Sequence, residues 1–241
     1  MADYIYGTTK EAKKTSLLAQ TFGWVTIGLI LTSVISIGLA LLFNTLLNNA
    51  GTNAEQTALM NNYLIVLGIA SVIQIVLVIV IQFSVIRKGP TEKNITVPYL
   101  LYAANMGIVL SFLVLLMEFE ILVSSLAITV ILFALMYLFA KQTKLNLRPA
   151  GIVGGTLLIG GIILSIVNIF LQSSGLDWLL SFVLFGAVML ITLFDLWQVA
   201  KASEAGVTSK NLAVFFAFNL FVDFIYIFIR IIYFVLRARS R

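Results

Sequence analysis

Two aspartates, Asp195 in "LFDLWQVAK" and Asp223 in "NLFVDFIYIFIR", stand where the surrounding residues are almost all large and apolar. Asp223 lies near the middle of the 26-residue stretch Asn211–Leu236. An ionised acid at the centre of a membrane helix costs roughly 2.5–3.5 kcal/mol on insertion scales, and such residues usually mark ion or proton routes. Two carboxylates held side by side in a low dielectric cannot cheaply both ionise, so a facing pair would share one proton. Losing that proton leaves either two repelling anions or a cation held between them, and a hard cation such as Ca²⁺ favours carboxylate oxygen. The chemistry on offer is a proton-controlled switch that engages H⁺ and, transiently, Ca²⁺ as the metal.

Little else in the chain competes for that role. Histidine and cysteine are absent, which removes imidazole and thiolate metal sites, disulfides and the familiar nucleophilic triads. No resident cofactor and no enzymatic activity are expected. The cluster "GIVGGTLLIGG", Gly151 to Gly161, lacks the Lys-Ser/Thr of a phosphate loop and lies in an apolar run, so it is expected to pack helices, with Gly151 and Gly155 as a GxxxG pair.

Polar residues line up with the aspartates. Asn219, Asp223, Tyr226, Arg230 and Tyr233 follow one another at steps of 4, 3, 4 and 3, one stripe of a 3.6-residue helix. Thr192, Asp195 and Gln198 share a face of the preceding segment; Gly161, Ser165, Asn168 and Gln172 form a third stripe, and Ser71, Gln74 and Gln82 a fourth. For the uncharged members the plainer account is hydrogen bonding between helices, with no transport implied.

The elements that must carry these residues follow from composition. Hydrophobic residues make up 61% of the 241 and charged ones 10%, far from the roughly half and one quarter of a soluble domain. Apolar runs long enough for a hydrocarbon core of about 30 Å fall at Phe22–Phe43, Tyr63–Ile86, Val97–Met117, Ile121–Ala140, Gly151–Leu171, Trp178–Ala200 and Asn211–Leu236. The expected fold class is an all-α polytopic membrane protein: one domain, 1–241, of seven transmembrane helices, with a cytoplasmic segment 1–21 and a basic tail 237–241. The first run is too long for a signal peptide and is expected to be retained.

Lys and Arg alternate along the chain. Lys10, Lys13 and Lys14 precede the first helix; Arg87, Lys88 and Lys93 lie in loop 2–3, Lys141, Lys144 and Arg148 in loop 4–5, and Lys201 and Lys210 in loop 6–7, with none in the other loops. That alternation places the N-terminus in the cytoplasm, and it accounts for the net charge of +5 without nucleic acid. The tail breaks this pattern, since Arg237, Arg239 and Arg241 would be preferred inside and a re-entrant hairpin would satisfy them, but 211–236 contains no Gly or Pro on which to turn back, so the helix is expected to cross fully and put the C-terminus outside. Glu55, Glu118, Glu120 and Asp177 then face outward.

The linker "KASEAGVTSKN" predicts where the last two helices meet. Helix six should stop near Ala205 with Gly206 as a left-handed residue, and helix seven should restart behind Thr208 or Ser209 as N-cap. At 1.5 Å per residue that turn sets Asp195 and Asp223 within about 4.5 Å of one another in depth.

"LFDLWQVAK" at 193–201 and "FAFNLFVDFIYIFIRII" at 216–232 resemble the Asp-x-x-Gln signature and the terminal helix of the transmembrane Bax inhibitor motif family, in its bacterial branch. "QTFGWVTIGLILTSV" at 20–34 and "ANMGIVLS" at 104–111 add weaker similarity. Phe194, where a Tyr often precedes the aspartate, and Trp197 depart from the pattern. The resemblance implies seven helices with the last one central and wrapped by the other six, and a pH-sensitive calcium leak governed by two aspartates, here Asp195 and Asp223. It also implies an arginine at the cytoplasmic end of helix two that latches onto the pair, a role falling on Arg87. Gln198, Asn219, Tyr226 and Arg230 would be the supporting polar stripe, and a bacterial plasma membrane the location.

Three function classes follow. The leading one is a leak pathway for Ca²⁺, with protons, closed while the pair is proton-bridged. The alternative is a non-conducting regulator in the lipid bilayer that binds membrane proteases or stress-response partners. The remote alternative is an intramembrane aspartyl protease, but Asp223 follows "LFV" rather than Gly-x-Gly, and Pro90, Pro98 and Pro149 leave no Pro-Ala-Leu behind it.

Overall fold

The structure is a computed structural model that describes residues 16–239. Lys10, Lys13, Lys14 and Arg241 of the charge pattern lie outside the described residues, as does most of the segment 1–21. The described chain forms seven α-helices: α1 Leu17–Asn49, α2 Asn53–Lys88, α3 Thr96–Leu116, α4 Phe119–Gln142, α5 Arg148–Leu171, α6 Ser174–Glu204 and α7 Lys210–Arg239. Each is long and apolar enough to cross a membrane. This is an integral membrane protein of helical type, because hydrocarbon leaves backbone N–H and C=O groups no partner except those within a helix or a closed barrel.

Several helices outrun the apolar stretches that announce them, because local caps rather than hydropathy set their ends. Ser16 caps α1, its Oγ accepting from the Ala19 N–H at 3.3 Å. Thr52 and Glu55 form a reciprocal capping box that starts α2 ten residues before the apolar run at Tyr63. With 33 and 36 residues, α1 and α2 are about 50 and 54 Å long at 1.5 Å per residue. Both therefore project beyond a hydrocarbon core of about 30 Å.

The turn between α6 and α7 forms as the linker predicts. Gly206 takes φ +74°, the Val207 N–H reaches back to the Ala202 carbonyl at 3.1 Å and the Gly206 N–H to Ser203 at 3.1 Å. These two bonds make a Schellman motif, which needs a left-handed residue that glycine adopts without a Cβ penalty. Ser209 then caps α7, its Oγ accepting from the Leu212 N–H at 3.4 Å.

In the bundle, α7 is the central helix. It packs against α1, α3, α4 and α6, and it is buried along more of its length than any other. Aromatic rings fill its contacts: Tyr102 meets Phe218 edge-on at 5.1 Å, Tyr99 meets Phe221 at 5.9 Å, and Phe133 lies 5.1 Å from Phe224. The expected wrapping by six helices is only partly realised. α2 packs on α3 and reaches α7 through a single side-chain hydrogen bond, and α5 stands behind α6 as its main neighbour.

Glycine explains how closely α5 and α6 approach, though not through the expected pair. A Cβ at Gly154 would stand 2.8 Å from the Ala187 carbonyl oxygen, and one at Gly151 or Gly161 would run into the Phe194 or Leu184 side chain at 2.5 Å. Gly155 has nothing within 4 Å. The packing face is Gly151, Gly154 and Gly161, so the Gly151/Gly155 pairing is corrected: a spacing of four residues sets Gly155 on the edge of that face, toward lipid.

Gly154→Ala is expected to destabilise the protein by about 1–3 kcal/mol, the usual cost of forcing a methyl group into filled space, because the obstacle is α6 backbone. Gly155→Ala should be neutral or slightly stabilising, since alanine is the better helix former by up to about 1 kcal/mol. Thermal unfolding of both variants in detergent, which should separate them in that order, is the check.

Candidate functional site: a buried carboxylate pair between α6 and α7

α6 and α7 pack side by side from their shared turn, and Asp195 and Asp223 lie in that seam, each 8% exposed. The two side chains are near neighbours across it. The short linker and the antiparallel run from the Gly206 turn thus bring the two acids together at similar depth, as the residue count predicts.

Their surroundings differ. Asp195 Oδ1 accepts from Gln198 Nε2, one turn on, at 3.2 Å. Asp223 has Thr192 beside it, but the Thr192 hydroxyl donates to the Val188 carbonyl at 2.8 Å. Asp223 Oδ2 is buried with no hydrogen-bond partner among the described residues. A buried carboxylate oxygen left bare is costly.

The stripe on α7 divides between two neighbours. Asn219 Oδ1 accepts from Gln82 Nε2 of α2 at 3.3 Å, so that end of the stripe ties α2 to the centre. Arg230, half-buried, donates through Nε to the Tyr226 hydroxyl at 3.1 Å and through an η nitrogen to Ser181 Oγ of α6 at 3.4 Å. Tyr233 accepts from Arg237 at 2.6 Å. Arg87 is exposed at the end of α2 and forms no ion pair with either aspartate.

A second polar cluster was only half visible in the sequence. Gln74 of the α2 stripe meets Asn105 of α3, whose Nδ2 donates to Gln74 Oε1 and to the Ala70 carbonyl, the latter at 2.8 Å. Tyr63 and Ser111 bond at 2.7 Å. A lone asparagine within an apolar helix was the available signal. These bonds join α2 to α3 on another side of α7 and involve neither acid.

Two apolar grooves of about 410 and 780 Å³ open between α1 and α4, the larger extending onto α3, with Leu220, Phe224 and Phe228 of α7 among their walls. Neither aspartate lines them. Among the described residues no three acids, histidines or cysteines gather as a metal-binding group, and two carboxylates alone supply fewer oxygens than the six to eight that Ca²⁺ takes.

The model of the family described as inhibitor of apoptosis-promoting Bax1 matches residues 14–241. The inner membrane protein YbhL of Escherichia coli K12 is 28% identical over 222 residues, covering 89% of this chain and 88% of that one. A protein of Borreliella burgdorferi is 27% identical over 94% of both chains, and one of Rickettsia prowazekii is 31% identical over 58% of this chain and 60% of its own.

Because the chain has no native cysteine, proximity can be read directly. The double variant Asp195→Cys/Asp223→Cys should be bridged within one chain by a short bis-thiol reagent. Asp195→Cys/Asn219→Cys should not, because Asn219 faces α2. A mobility shift after proteolysis between α6 and α7 scores the result, and equal bridging in both would contradict the seam.

Proposed function

Because the chain belongs to the family of inhibitors of apoptosis-promoting Bax1, we propose that it is a pH-sensitive Ca²⁺ leak of a bacterial plasma membrane, gated by the shared proton of Asp195 and Asp223. The observation that carries this reading is the carboxylate pair itself, buried between two helices with one oxygen of Asp223 unpartnered. While the pair holds a proton, α6 and α7 stay closed over it. When the proton leaves, two unit charges about 4 Å apart in an effective dielectric of about 20 repel by roughly 4 kcal/mol. That is a large share of the roughly 5–15 kcal/mol that holds a typical fold together, and enough to open a single seam between helices.

A Ca²⁺ ion entering that seam would relieve the repulsion. Two carboxylates bind it too sparsely to retain it, and water completes the shell, as transit requires. Gln198 restrains Asp195, and Asn219 anchors α2 beside the seam. Arg87 retains the proposed role of a latch: it is exposed and unpaired when α6 and α7 are closed, on a long side chain free to reach an ionised acid.

The proposed orientation has the N-terminus in the cytoplasm and the C-terminus outside. Support comes from the far end of α7, where Arg239 pairs with Glu118 at 2.9 Å and Glu120 at 3.4 Å. α7 is one uninterrupted helix, so its end shares a side with the acidic loop between α3 and α4, which has no Lys or Arg and is outward by the charge rule.

In liposomes the Ca²⁺ leak should rise with pH, by up to about tenfold per pH unit across the transition if one proton controls it. Asp223→Asn and Asp195→Asn should each flatten that dependence. If both variants leak as the parent does at acidic and alkaline pH, the gate is not this pair.

A further inference from the structure

We infer that Arg230 determines the ion selectivity of this pathway, an inference that rests on the proposed leak: its fixed positive charge stands in the α6–α7 seam outward of the acid pair and discriminates between ions by valence.

Arg230 follows Asp223 by seven residues, which is about 10.5 Å along the helix and within about 20° of the same face. Long side chains on a helix lean toward its N-terminus, and this one does, since Nε bonds the Tyr226 hydroxyl four residues back. The guanidinium bridges the Tyr226 hydroxyl and Ser181 of α6. On α6 its partner Ser181 precedes Thr192 by eleven residues, close to three full turns. Ser181 with Arg230, and Thr192 and Asp195 with Asp223, are two levels of one seam. An ion leaving the pair outward along it passes the guanidinium.

The groups facing Arg230 leave its charge intact. From α6 it meets the Ser181 hydroxyl, and from α7 the Tyr226 hydroxyl and ring, the latter 5.3 Å away. Glu118 just before α4 and Glu120 in its first turn are held by Arg239, and Asp177, further out on α6, forms no ion pair with Arg230. No carboxylate of the described residues pairs with it. Neutral oxygens position the group without cancelling it, and a guanidinium stays charged at every accessible pH.

Such a charge acts on a passing ion in proportion to the ion's own charge. If removing it raises K⁺ flux by some factor, Ca²⁺ flux must rise by about the square of that factor. A unit charge about 10 Å from an ion at the acid pair, in an effective dielectric of about 20, corresponds to an increase on the order of tenfold for K⁺ and a hundredfold for Ca²⁺. Loosened packing would raise both by the same factor.

The test compares K⁺ and Ca²⁺ efflux from liposomes containing the full chain. Arg230→Gln should show the squared relation at acidic and alkaline pH alike, and Arg230→Lys should keep the parent's ratio. Arg230→Cys, in this cysteine-free chain, gives an independent measurement: a cationic trimethylammonium thiol reagent should restore the parent ratio and a neutral methyl reagent should not. Equal factors for the two ions, no change in Arg230→Gln, or equal effects of the two reagents would each overturn the inference. If the aspartate variants flatten the pH response while Arg230→Gln changes both ions equally, the selectivity role falls and the gate stands. If the aspartate variants change nothing while the squared relation holds, the gate falls and the selectivity role stands. No flux of either ion through the parent protein sinks both.

Discussion

A charged side chain survives inside a membrane only where protein rather than lipid surrounds it, and in this bundle that shelter is the seam between α6 and α7. α7 is walled by α1, α3, α4 and α6, with Phe218, Phe221, Leu220 and Ile227 almost wholly buried. α2 and α5, set further out, carry no acid or base between Glu55 and Arg87 or within 149–171. Within the membrane spans, acids and an arginine occur only on α6 and α7, the pair that forms this seam. A carboxylate on the lipid side of α5 would meet hydrocarbon with no partner, whereas Asp223 meets Asp195 and Thr192.

Two kinds of contact maintain that arrangement. Where helices must come close, glycine removes the obstacle, as Gly154 does beneath the Ala187 carbonyl and Gly107 does beside the Thr32 carbonyl, 2.8 Å from where a Cβ would sit. Where a helix stands further out, side-chain hydrogen bonds hold it, as Asn105 does for α2 through Gln74 and the Ala70 carbonyl. Without a hydrophobic force between helices in lipid, packing of small residues and polar bonds are the means available. The polar bonds that anchor α2 are accounted for by that packing alone.

The α6–α7 seam also orders its polar groups by depth. Asp195 lies 11 and Asp223 17 residues from Gly206, Arg230 stands about two turns beyond Asp223, and Ser181 stands about four turns beyond Asp195. Above them a belt of Trp178, Phe182, Tyr233 and Phe234 closes the seam, with Trp178 and Phe182 only 4.3 Å apart and Phe182 stacked on Phe234 at 5.2 Å. Trp and Tyr favour the membrane–water boundary, so Trp178 and Tyr233 suit the end of the seam for the headgroup level. Acid, base and aromatic lid follow in that order along one helix pair.

Much of this was determined by the residues alone. Seven apolar runs, alternating basic loops, a Gly206 stop and a Ser209 start decide the helices and their up-and-down order, because these depend on local capping and on the cost of charge in lipid. The depth match of Asp195 and Asp223 follows from the same turn, since a short linker between antiparallel helices leaves little freedom along the axis. Which faces meet was decided only in three dimensions. Periodicity puts Asn219, Asp223 and Arg230 on one stripe, yet Asn219 is bonded to α2 and the other two look toward α6, because a stripe spans an arc wide enough for two neighbours. It likewise pairs Gly151 with Gly155, while the angle at which α5 crosses α6 selects Gly151, Gly154 and Gly161. A sequence carries the rotation of each residue about its own helix axis; the rotation of one helix against the next is a property of the packed bundle.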